Sequence, residues 1–112
     1  MARIRSIHPG IWTDEAFVSV SMAARLLFIG LWNEADDQGV FEWKPVTLKM
    51  RLMPNDQVNV VDLLGELEQH RMLLQYDFNG RLYGAIRNFR RFQRPEKPNQ
   101  IHPLIEDVRV FV

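Results

Sequence analysis

The sequence predicts a mainly α domain carrying a small β-hairpin, an α+β class, and three features predict it. Residues 22–35 contain no proline and are apolar through their centre, Leu-Leu-Phe-Ile-Gly-Leu-Trp at 26–32. Two shorter helical patterns come next, at 46–52 and 60–72. Asn79-Gly80 then separates two β-prone runs, the strongest short-range hairpin signal.

Each element has its own local reason. Thr13 or Asp14 can cap a short helix over 14–20. Ser21 can cap the helix at 22–35, whose nearly all-round apolar centre must be covered on more than one side, within the domain or at a subunit interface. Asp36-Asp37-Gln38-Gly39 has turn chemistry and ends it. Residues 40–43, Val-Phe-Glu-Trp, alternate and read as a brief strand. Pro45 suits the first position of the next helix, in which Leu48 and Leu52 share a face. Asn59 caps the helix at 60–72, with Asp62 favourable near its N-terminus and Val60, Leu63, Leu64 and Leu67 as the buried stripe. A two-residue turn at 79–80 sets the hairpin register: Phe78 opposite Arg81, Asp77 opposite Leu82, Tyr76 opposite Tyr83. Pro95, Pro98 and Pro103 predict an extended tail. A helix-turn-helix followed directly by a ribbon is the layout of a winged helix. The expected organisation is an N-terminal arm and short helix over 1–20, a winged-helix domain over 21–97 and a C-terminal tail over 98–112.

Composition narrows the function. The chain has 112 residues, one domain's worth, with 14 Lys+Arg against 14 Asp+Glu and no cysteine. Disulfides, thiolate catalysis and cysteine metal sites are excluded. His8, His70 and His102 lie far apart, so no metal site is expected. The Asp36–Gly39 turn lacks the alternating ligands and closing Glu of a calcium loop. No phosphate-binding glycine loop, nucleophile elbow or paired carboxylate appears, so the reading is not an enzyme and no cofactor. No signal peptide or membrane span is seen, and a cytoplasmic location is expected.

The neutral total hides a polarised chain. Residues 1–13 are net +2, 14–77 net −6, 78–97 net +5 and 98–112 net −1. The helix at 60–72 offers Asp62, Glu66, Glu68 and Gln69, with Arg71 only at its end. Acids beside phosphates repel, by roughly 1 kcal/mol or less per exposed pair, which disfavours major-groove reading by that helix. The basic ribbon and its exit, where arginines interleave with Phe89 and Phe92, are the better nucleic-acid surface. The two phenylalanines themselves read as packing under the hairpin. Trp12, Trp32 and Trp43 read as core or interface anchors.

Arg3-Ile4-Arg5, Pro9, Trp12, Asp14, Ala24-Arg25-Leu26-Leu27-Phe28, Leu31-Trp32, Ala35-Asp36-Asp37 and Gly39 resemble the N-terminal region of phage and prophage replication proteins. Leu63-Leu64-Gly65-Glu66-Leu67, Leu73, Tyr83, Ile86, Asn88-Phe89 and Gln93-Arg94-Pro95 extend the resemblance to about residue 97. It implies a winged-helix domain similar to that of replisome organiser and DnaD-like proteins, which bind DNA, oligomerise and help load a helicase.

The expected function is therefore DNA binding in replication initiation, dominated by phosphate contacts and low in sequence specificity. Its candidate residues are Arg81 and Arg87 on the ribbon, then Arg90, Arg91, Arg94 and Lys97. Arg3 and Arg5 would add a mobile arm, and Lys44, Lys49 and Arg51 weaker contacts. Expected partners are DNA, further copies of the chain and a replication helicase or loader. The alternatives are an interaction or oligomerisation module of a replisome and, ranked lower, a transcriptional regulator of the same fold.

Overall fold

The computed structural model describes residues 2–112. Among them are a 3-10 turn (Pro9–Thr13) and six helices: α1 (Glu15–Ser19), α2 (Met22–Glu34), α3 (Pro45–Leu52), α4 (Val60–Gln69), α5 (Phe89–Phe92) and α6 (Glu106–Arg109). Three strands, β1 (Val40–Glu42), β2 (Leu73–Phe78) and β3 (Arg81–Ile86), form one antiparallel sheet in the order β1-β3-β2. The class is mixed α+β. No helix of the described residues is long and apolar enough to cross a membrane.

Caps set the helix starts where short polar residues precede apolar runs. Asp14, Ser21 and Asn59 accept from the backbone N–H of Phe17, Ala24 and Asp62. The N-terminus of α2 gains a second anchor from α4. Glu66 accepts from the Ser21 N–H at 2.6 Å and hydroxyl at 2.9 Å, tying the two helices together.

α4 stops three residues before the expected end, in a Schellman motif. Arg71 N–H donates to the Glu68 carbonyl and Met72 N–H to the Leu67 carbonyl. The motif needs a left-handed residue, and Arg71 supplies it at φ 57° without being glycine. Arg71→Gly is expected to raise stability by about 0.5–1 kcal/mol, because the strain of a left-handed L-residue exceeds the added chain entropy. A urea midpoint unchanged or lowered would contradict this.

The hairpin has Asn79 and Gly80 both at positive φ, the requirement of its two-residue turn. Phe78 faces Arg81, Asp77 faces Leu82 and Tyr76 faces Tyr83, as the turn length requires. The two tyrosine rings stack at 5.8 Å. β1 lies on the other edge of β3, with Phe41 opposite Gly84.

The core is the buried face of α2 (Leu27, Phe28, Leu31, Trp32) against α4 (Leu64, Leu67) and the sheet (Phe41, Ile86). The all-round apolar centre of α2 is covered on one broad side. Leu52 of α3 lies against Gly30, but Leu26 stays 57% exposed. Trp32 is buried, whereas Trp12 is exposed and meets Phe17 edge-on.

Residues 98–112 are not an extended tail. The Ile101 and His102 N–H groups donate to Asp36, and the Tyr76 hydroxyl donates to the Pro103 carbonyl at 2.6 Å. Burial, with the charge of Asp36 and neighbouring Tyr83 adding to it, pushes the Tyr76 hydroxyl up to about 12. Val108 and Val112 are buried, and the Phe111 carbonyl accepts from Asn88 N–H. The prolines set a bent path, and the apolar side chains beyond them bring it home to the core.

Candidate nucleic-acid interface

The candidate cations have different fates. Arg5, expected on a mobile arm, is locked in place with its side chain only 5% exposed. Its guanidinium donates to the Trp32, Ala35 and Asp36 carbonyls and to Asp37 Oδ1 at 2.8 Å, over the Phe89 ring. Arg3 pairs with Asp37 Oδ2 at 3.0 Å, and its N–H donates to the Asn33 carbonyl. Neither is a free phosphate contact, because the buried Asp37 carboxylate pairs with both and draws the arm in. Burial pushes the Asp37 carboxyl up, but the Asn99 N–H and the two guanidiniums outweigh it and hold the pKa below the ordinary value.

The weaker candidates on α3 also have partners. Lys49 donates to the Met53 carbonyl at the end of the helix, and Arg51 pairs with Glu34 at 2.7 Å. Lys44 pairs with Glu42 at 2.9 Å. The exposed face of α4 carries Val61, Asp62, Gly65 and Gln69, with no cation among them.

The segment after β3 is different. Asn88 takes a left-handed conformation, φ 57°, and turns the chain sharply into α5. That turn drops Phe89 into the core, 3% exposed, and leaves Arg87, Arg91 and Arg94 lining a cleft of about 480 Å³. The N-terminal segment around His8 and Asp14 also lines it, as do Phe28 and Trp32 of α2. A second clasp fixes that segment. Gln93 donates to the Ser6 carbonyl and accepts from the Ser6 N–H.

Among the described residues the Arg87 and Arg91 guanidiniums have no hydrogen-bond or ion-pair partner, and Arg94 donates only to the Arg91 carbonyl. Asp14 is the one acid lining the cleft, and it caps α1. The cleft is therefore net positive. Phe92, expected under the hairpin, is instead 45% exposed at its edge, beside the His8 ring at 5.4 Å and beneath Arg91.

The remaining candidates stand apart from this group. Arg81 lines a separate hollow with Arg109 near the hairpin tip. Lys44, above all, and more weakly the charge of Arg81, hold the Glu42 carboxyl below its ordinary range. Arg90 donates to the Arg109 carbonyl, and Lys97 is exposed beyond the cleft. The charge tally of 78–97 pointed to this region, but only the turn at Asn88 selects Arg87, Arg91 and Arg94 from it. His8 and Asp14 as cleft residues were beyond sequence reasoning, since nothing local links them to residues about 80 positions away. No group of side chains that could hold a metal ion occurs among the described residues.

Compared with protein-family models, with curated proteins and with solved structures, the chain matches none of them.

Proposed function

We propose that this chain is a DNA-binding winged-helix protein of the phage or prophage replication type, which holds DNA mainly through its basic exit segment. The observation that carries the reading is the set of Arg87, Arg91 and Arg94 lining one cleft without acidic partners, Arg91 and Arg94 exposed and Arg87 half-buried. Guanidiniums so placed suit phosphate oxygens, and binding through them is insensitive to sequence. The element order α2-β1-α3-α4-β2-β3 supports the winged-helix assignment, with the 73–86 hairpin as the wing. Within it α4 has the position of a recognition helix, yet its exposed face offers no cation for phosphates. This favours a non-specific binder over a transcriptional regulator.

The test is fluorescence anisotropy of labelled DNA against the full chain. Affinity is expected to fall at least tenfold between about 50 and 200 mM salt, since three phosphate contacts each release counterions. Affinity independent of salt, or no binding at low salt, would overturn the reading.

A second reading, an oligomerisation module within a replisome, is favoured by Met22 and Leu26, exposed one turn apart on α2. Sedimentation separates the two: a stable oligomer with no affinity for DNA supports the second, and a DNA-binding monomer the first.

A further inference from the structure

We infer that the cleft between the N-terminal segment and the residue 87–94 turn takes one unpaired base of a single-stranded nucleic acid, with Phe92 as its stacking surface. The inference rests on the nucleic-acid reading above and adds strand preference to it. A duplex offers phosphates to any basic surface but keeps its base faces stacked inside, so a hollow with aromatic walls gives it nothing. A single strand offers both groups at once. The cleft supplies partners for both, with three arginines and several aromatic rings among its lining residues.

Its volume, about 480 Å³, lies within the range of sites that enclose small ligands. The N-terminal segment is held by Gln93 on Ser6 and, one residue earlier, by Arg5 on Asp37, so the hollow is formed before any ligand arrives. Phe92 is the exposed ring of the set, while Phe17, Phe28, Trp32 and Phe89 are each under a tenth exposed. The Arg91 guanidinium lies over the Phe92 ring at 5.6 Å, so a base stacking on that face takes the place of this side chain. Displaced by the base, Arg91 would join Arg87 and Arg94 on the flanking phosphates.

The experiment compares a 12-residue oligothymidylate with a blunt duplex of the same length, using the wild-type chain, Phe92→Ala and Phe92→Trp. The single strand is expected to bind about tenfold tighter than the duplex. Phe92→Ala should remove about tenfold of single-strand affinity, the scale of one base stack, and leave the duplex unchanged. Phe92→Trp should restore the single-strand affinity, which a role in folding alone would not explain. Circular dichroism checks that Phe92→Ala folds, as expected for a ring already 45% exposed. Equal affinity for the two ligands, or equal loss on both in Phe92→Ala, overturns the cleft assignment and leaves the nucleic-acid reading standing. Binding of neither ligand overturns both.

Discussion

Replacing Asp37 by Ala is expected to lower stability by about 3–5 kcal/mol, the range for removing one partner of a buried ion pair. The Asp37 side chain is fully buried, and its two oxygens accept from Arg5, Arg3 and the Asn99 N–H. Without it the Arg5 guanidinium, nearly as buried, keeps its carbonyl acceptors but loses its counter-charge. Three distant segments lose their common tie: the N-terminal arm, the turn after α2 and the returning C-terminal segment. Asp37→Asn keeps the shape and loses only the charge, so a smaller loss is expected. Because the folded-state pKa of Asp37 is lowered, its contribution is present above the ordinary value of 3.8 and fades as pH falls through the depressed folded value. The stability gap between wild type and Asp37→Asn should therefore narrow on acidification below that point. Urea unfolding as a function of pH measures both effects. A loss under about 1 kcal/mol for Asp37→Ala would place this pair with ordinary exposed salt bridges.

Gly84→Ala is expected to have a comparable effect by a different route. Gly84 sits in the central strand β3, directly opposite Phe41 of β1. A Cβ there would come within 2.3 Å of the Phe41 ring, and the ring is 1% exposed. Phe41 also stacks against Trp43, with ring centroids 5.8 Å apart. Overpacking usually costs about 1–3 kcal/mol, and an overlap with a buried aromatic ring belongs at or above the top of that range. Trimming the ring in Gly84→Ala/Phe41→Leu should recover part of the loss, so the double variant is expected to be more stable than the sum of the singles. Strict additivity would mean that the ring is not the obstacle.

The hairpin was legible because its causes are local. Asn79-Gly80 dictates the turn, and the turn dictates which residues face each other. Ser21 and Asn59 likewise reveal themselves as caps by the apolar helical runs directly after them. The end of α4 was missed because Arg71 is not a residue that signals a left-handed stop. Asp36 and Asp37 read only as turn residues, and both are buried, 1% and 2% exposed. Asp37 has its partners about 30 residues before and 60 after, and Asp36, besides the local Gln38 and Val40 N–H groups, holds Ile101 and His102, beyond any local pattern. The same separation hid the fate of Arg3 and Arg5. A basic arm with no neighbouring acid looks free until the fold brings Asp37 to it. At the candidate site the charge distribution located the segment, and the fold decided which of its arginines line the cleft together.

The most direct test of the central claim is the salt dependence of single-strand binding by the wild-type chain and by Arg87→Ala/Arg91→Ala/Arg94→Ala. Each phosphate contact contributes about 0.7 to the slope of log affinity against log salt for a single strand. The triple variant should retain the wild-type circular dichroism and lose about 2 from the magnitude of that slope. An unchanged slope in a folded triple variant would contradict the account and place the DNA, if bound at all, elsewhere on the molecule.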